Sequence, residues 1–183
     1  MLHDKEHKFV MFRGLPEYDS GSWIYGWPVY SKATDKYYIT TKEGQSTSVR
    51  EHTIGRLRLH DKYDEHVYDN DVVVVERTCI EKTDAFHTRM CSFMQRNSIQ
   101  KIHIHIYDGD YGNLAYTIYF VRHNNNLLTE GDVYLDSSPE QTKIPYKQEH
   151  TNVRFIKRLV SKNVLQRVGD IFTEDIITDI PEE

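Results

Sequence analysis

Apolar and polar residues alternate along most of this chain, with the two-residue period of a β-strand more often than the period of a helix. Phe9 to Leu15 reads as a short strand. The turn "PEYDSG" follows: Pro opens it, Asp and Ser can bond their own backbone, and Gly21 tolerates a positive φ. "SWIYGWPVY" alternates next, and a regular strand there points Trp23, Tyr25 and Trp27 one way and Ile24 the other. "YYITT", Tyr37 to Thr41, is a strand after the turn "KATD", and "KEGQSTS" reads as a polar loop. "TIGRLRL" sets Ile54, Arg56 and Arg58 against Gly55, Leu57 and Leu59. "HDKYDEH" reads as a hairpin turn, and the β-branched run Val72 to Val75 as a buried strand.

The period changes at Thr83 to Asn97, where Phe86, Met90, Phe93 and Met94 fall at helical spacing and Thr83 can cap the start. Two strong strands follow, "IQKIHIHIYDG" and "NLAYTIYFVRH", joined through "DGDYGN" as a β-hairpin. "HNNNLLTEGD" reads as a turn, "VYLDSS" as a further strand and "SPEQTKIPYKQEH" as a polar loop. "NVRFIKRLVSKNVLQRVGDIF" fits strand or helix; two strands around a turn at "SKN" are expected. The acidic tail "TEDIITDIPEE" reads as a short helix or an extended end. The expectation is a mainly β protein, one domain over residues 1–183, with a helix-bearing insertion at about 77–98 and a further β-hairpin.

Composition supports strands. Aromatics reach 12% and tyrosine alone has thirteen copies, while apolar residues in total are a modest 38%. Tyr packs its ring while keeping its hydroxyl wet, and a Tyr, Val and Ile core favours sheets. The net charge of −5 argues against a general DNA-coating protein but leaves room for a local basic pocket. The ten histidines would reduce that acidity below neutrality. Two cysteines, Cys79 and Cys91, are too few for a disulfide framework. "MLHDKEHKF" is charged where a signal peptide would turn apolar, and no run has the length of a membrane span. A soluble protein of a reducing cytoplasm is expected.

Three blocks carry a family resemblance. The first is Phe12, Arg13 and Gly14, then Gly21, Trp23, Tyr25 and Gly26. The second is Thr53, Ile54, Gly55 and Arg56, followed by Leu59, Asp61, Lys62, Val67, Tyr68, Asp71, Val72 and Val73. The third is Val168, Gly169, Asp170, Ile171 and Phe172. In this order they resemble the YopX family of phage and prophage proteins, over about half the chain. Where the family pattern has an Asn-Gly turn and a Glu-Gly-Asp, this chain has Tyr63-Asp64 and Asp69-Asn70-Asp71; Asp and Asn tolerate left-handed geometry best after glycine. Residues 76–160 match no family motif. The resemblance implies a small barrel core of Src-homology-3 type and a mobile-element origin, hence the cytoplasm of an infected bacterial host. It implies no activity and no catalytic residues.

Several residue groups suggest chemistry. An exposed Trp or Tyr of the Phe12–Tyr30 stretch can stack on a base, while core packing explains the same aromatics; Trp23 is expected inside and Trp27, beside Pro28, nearer the rim. Arg56 and Arg58 can fork phosphates from one strand face, or form surface pairs with Asp61, Asp64 or Glu65. Arg154, Lys157, Arg158, Lys162 and Arg167 form one basic cluster, which can bind an anion or nucleic acid or balance the acidic tail. His103 and His105 share a strand face as metal ligands often do, yet no third ligand stands at a fixed spacing, so no metal is expected. P-loop, G-x-S-x-G, H-E-x-x-H and dinucleotide fingerprints are missing.

The expected function is that of a phage accessory protein binding a small anionic ligand, such as a cyclic nucleotide immune signal, without turning it over and without a cofactor. Trp27, Arg56, Arg58, Arg154, Lys157 and Arg158 are its candidate contacts, with a homo-oligomer completing the pocket. An adaptor for a host protein or nucleic acid is the alternative, and a metal-dependent enzyme on His103 and His105 a third.

Overall fold

Strand pairing is the organising feature of the computed structural model, which describes residues 11–18, 21–79, 85–109, 112–122, 147–150 and 154–173. The protein is mainly β, and its curled antiparallel sheets form a half-barrel. The first sheet has the order β4-β3-β2-β1-β5-β6: β1 (Phe12–Gly14), β2 (Ile24–Ser31), β3 (Lys36–Thr40), β4 (Ser46–Val49), β5 (Gly55–His60) and β6 (His66–Tyr68). The second has the order β10-β9-β8-β7-β11: β7 (Asp71–Glu76), β8 (Ile99–Asp108), β9 (Leu114–Arg122), β10 (Lys147–His150) and β11 (Gln166–Asp170). No helix among the described residues is long and apolar enough to cross a membrane.

The first sheet curls because β2 changes partner midway. Ile24 to Gly26 pair with β1, and Trp27 to Ser31 pair with β3. Gly26 permits the crossover, since a Cβ there would lie 2.1 Å from the Thr40 carbonyl oxygen. The curl returns β4 to the chain just beyond β1, where Glu17 N–H donates to Ser48 O and Arg50 N–H to Leu15 O. Leu15, Ile39 and Val49 are buried there.

The second sheet carries the larger core. Val73 and Val75 face it together with Ile102, Ile104, Ile106, Tyr116 and Ile118. Val72 and Val74 are equally buried on the opposite face, so β7 is a continuous apolar run. Helix α1 (Ala85–Arg96) adds Met90, Cys91 and Met94, and helix α2 (Arg154–Ser161) adds Ile156 and Leu159. Helix α1 lies within the expected Thr83–Asn97 segment, and β8 and β9 form the expected hairpin.

Three expectations are corrected. Ser46 to Ser48, the end of the expected polar loop, belong to β4 (Ser46–Val49). Lys147–His150, also assigned to a loop, is β10. The block read as two strands around "SKN" is helix α2 followed by β11. The helix wins because Ile156 and Leu159, three apart, are both buried while Lys157, Arg158 and Val160 face water. It stops at Asn163, which takes a left-handed φ of 56°. Asp64 and Asn70 also adopt left-handed φ, of 63° and 70°, as expected of turn residues that stand in for glycine. The turn at "HNNNLLTEGD", the strand at "VYLDSS" and the acidic end from Glu174 lie outside the described residues.

The two sheets are joined by a buried ionic cluster. Arg13 and Asp71 are 1% and 0% exposed, and Arg13 Nη2 donates to Asp71 Oδ1 at 2.5 Å. The Arg13 guanidinium also lies 3.8 Å from the Trp23 ring centre and 4.9 Å from that of Tyr68. Asp71 Oδ2 accepts from Tyr68 N–H and Arg167 Nε, and Asp71 Oδ1 from Arg167 Nη2. Trp23 Nε1 donates to Asp170 Oδ2 at 3.1 Å. The three blocks that carry the family resemblance therefore meet at one point, in a structural contact. Removing Asp71 leaves the Arg13 charge buried without its carboxylate, so Asp71→Ala is expected to lower stability by about 3–5 kcal/mol in urea denaturation. A loss under about 1 kcal/mol would show that the cluster is not what joins the sheets.

Candidate ligand-binding face

Strand β1 places Phe12 directly opposite Arg56 of β5 on one side and Gly26 of β2 on the other. The Arg56 guanidinium carbon sits 5.4 Å from the Phe12 ring centre. Phe12 in turn meets Trp27, with ring centres 6.4 Å apart and planes tilted by 60°. Trp27 is 50% exposed and Arg56 faces solvent. No carboxylate among the described residues pairs with the Arg56 side chain. The result is an aromatic pair, exposed Trp27 and half-buried Phe12, beside a guanidinium with no carboxylate partner among the described residues. Such a set can stack a planar group and hold an anion beside it.

Arg58 has a different fate. Leu57 pairs with Tyr68 and Leu59 with Val67, which makes Arg58 the extra residue of a β-bulge. The bulge turns its side chain inward, to 8% exposure. Nε donates to Asp69 Oδ1 at 2.6 Å, Nη2 to Asp69 Oδ2 and to Asp108 Oδ1, and Nη1 to the Gly112 carbonyl. Burial pushes the Asp69 carboxyl up, and the Arg58 fork and the Arg56 N–H pull against it. The two Arg58 contacts and the Arg56 N–H favour the charged carboxylate against that burial. Arg58 thus ties β5 to the β8–β9 connection instead of forming a phosphate fork with Arg56. Its acidic partners are Asp69 and Asp108, not Asp61, Asp64 or Glu65. Asp61 closes the β5–β6 turn, accepting from Tyr63, Glu65 and Arg167 N–H groups.

The basic cluster of the last block divides as well. Arg167 is committed to Asp71. Arg154 begins α2, and Lys157 and Arg158 lie on its exposed side. No contact among the described residues joins Lys157 or Arg158 to Trp27 or Arg56. The aromatic stretch splits in the expected direction: Trp23 is part of the ionic cluster and Trp27 is at the surface. Burial works against a charged Asp170, but the Thr173 hydroxyl, the N–H groups of Phe172 and Thr173, and Trp23 outweigh it and hold that carboxyl below its usual range.

Asp69, Asp71 and Asp108 were not singled out as partners by sequence. Asp71 is 58 positions from Arg13, and Asp108 is 50 from Arg58. The one local signal was the dense run of aspartates in "YDNDV".

His103 and His105 alternate on β8 as expected. No group of three or more His, Cys, Asp or Glu among the described residues could hold a metal ion. His103 is 9% exposed, and its ring is lowered to about 4, first by burial and then by the charge of Lys101. His105 packs beside Tyr107, ring centres 5.1 Å apart.

No protein-family model, curated protein or solved structure matches the chain.

His103 makes stability depend on pH. Its folded value lies below the ordinary 6.5, so the unfolded chain binds the extra proton in the window between. Stability is therefore expected to be full above pH 6.5 and to fall as pH drops toward 4, by about 2–4 kcal/mol from this group. Urea melts at pH 7 and 4.5 measure the slope. His103→Gln is expected to flatten it, and an unchanged slope would assign the acid sensitivity to other groups.

Proposed function

We propose that this protein is a non-catalytic binder of a small anionic ligand with a planar ring, of the nucleotide class. One observation carries the reading: the Arg56 guanidinium, which has no carboxylate partner among the described residues, stands over Phe12, which adjoins the half-exposed Trp27. A base stacked on such a surface gains about 1–3 kcal/mol, and a guanidinium beside it answers the phosphate charge. Because the chain as a whole carries −5, an anion is drawn only to a local positive site such as this one.

The mobile-element origin implied by the resemblance gives such a binder a use. In an infected host it would sequester a nucleotide signal of the defence system and leave it chemically unchanged. A homo-oligomer is part of the reading, since a flat aromatic pair encloses a ligand when a second copy covers it.

The adaptor reading rests on a different observation. Val29, on the same face of β2, continues the exposed apolar surface beyond Trp27, as a protein partner would require.

A thermal-shift screen against cyclic di- and trinucleotides separates the two, because a ligand that binds only the folded state raises the midpoint. A selective shift is expected, with unmodified nucleotide recovered by native mass spectrometry. Trp27→Ala and Arg56→Ala are each expected to weaken that binding by about 5–100-fold with little change in the unliganded midpoint, both side chains being exposed. No shift with any nucleotide, or a shift intact in both variants, would move the assignment to a protein partner.

A further inference from the structure

A cleft of about 200 Å³ opens where β7 ends and β8 begins, lined by Glu76, Arg77, Thr78, Gln100 and Lys101. A defect in strand pairing builds it. Ile99 pairs with Arg122 and Lys101 with Val121, so Gln100 is the extra residue of a β-bulge. Ile99 and Ile102 are both buried in the core, and the bulge releases the two residues between them outward together. Strict alternation would have turned one of those two toward the core.

The charges of the cleft are unbalanced. Glu76 stands opposite Lys101 in the strand register, where a cross-strand ion pair is the ordinary outcome. None forms between them, and no carboxylate among the described residues pairs with Arg77. Among the described residues, two cations and one carboxylate therefore line a polar concavity in a chain that is acidic overall. Lys101 and His103 stand two apart on one face of β8, and the lowering of His103 is due first to burial and second to the Lys101 charge.

We propose that this cleft is an oxyanion site of the phosphate class, with Arg77 and Lys101 as its two cationic contacts and the Thr78 hydroxyl as a neutral donor. Arg presents a planar fork to phosphate oxygens, and Lys a compact charge. The volume is below the 300–1,000 Å³ or so of drug-sized sites, which suits a phosphate or pyrophosphate group and not a whole dinucleotide. The site shares no residue with the Trp27–Arg56 face and stands without the function proposed for that face. Its ligand is either a free inorganic anion or the phosphate end of a larger molecule.

The test is calorimetric titration of the intact chain with inorganic phosphate and with pyrophosphate, at about 150 mM salt so that diffuse attraction is screened. Saturable binding of one anion per chain is expected. Lys101→Gln and Arg77→Gln should each weaken it about tenfold or more, while Lys101→Arg should keep it within about threefold. Trp27→Ala and Arg56→Ala should leave it unchanged. Tighter binding of pyrophosphate than of phosphate would point to the end of a larger molecule, and equal binding to a free anion; either supports the site. Absence of saturable heat with both anions overturns the proposal. So does affinity intact in both glutamine variants, or lost in Arg56→Ala.

Discussion

The Arg13–Asp71 ion pair is the constraint from which the rest of the architecture follows. Both groups are out of water, and stripping a guanidinium and a carboxylate of their hydration costs several kcal/mol each. On the aspartate side the cluster offsets that cost by saturation. Asp71 takes donors from Arg13, from both Nε and Nη2 of Arg167 and from the Tyr68 N–H, while Trp23 and Tyr68 flank the Arg13 guanidinium. Apolar residues in these places would hold the sheets together as firmly. They would not choose one register. Slipping β1 or β11 by a single residue would turn a guanidinium to the wrong face and leave a buried charge unpaired.

The same rule governs the other buried aspartates and explains the surface. Asp61 and Asp170 accept backbone N–H groups at turns, and Asp69 combines the Arg56 N–H with the Arg58 fork. An acidic chain has spent several carboxylates inside, and it has spent Arg13, Arg58 and Arg167 with them. Arg56, Arg77 and Lys101 are left outward without acidic partners among the described residues. Local positive sites on a protein of net charge −5 thus arise from how its anions are buried, which a count of charges does not reveal.

Much of the fold was legible because it was local. Four consecutive valines announced β7, alternation announced β8 and β9, and helical spacing announced α1. The sequence "RFIKRLV" satisfies either period over so short a span; burial of Ile156 and Leu159 on one side decides for helix α2, and that face exists only once the second sheet is built. Strand β4 was missed because Ser46 to Val49 carries little apolar signal, and its place is set by β3 and by the chain beyond β1. The candidate face was half legible. Trp27 and Arg56 came from residue type and position, whereas the pairing of Phe12 with Arg56 needed the β1–β5 register.

Arg56 and Arg58 show why the remainder was out of reach. On an ideal strand they are equivalent, two positions apart on one face. One extra residue in β5 makes them opposites: Arg58 closes on Asp69 and Asp108, and Arg56 stays with Phe12 in the open. Bulges do the same elsewhere. The one at Val168 accompanies the turn of Arg167 into Asp71, and the one at Gln100 sends Lys101 out beside Arg77. A bulge costs a ladder hydrogen bond and breaks the two-residue period, so it erases the pattern by which a strand is read. In this protein the irregular positions are where the cations are aimed. The regular strands make the scaffold, and the departures from regularity decide which of its charges are locked inside and which remain for a ligand.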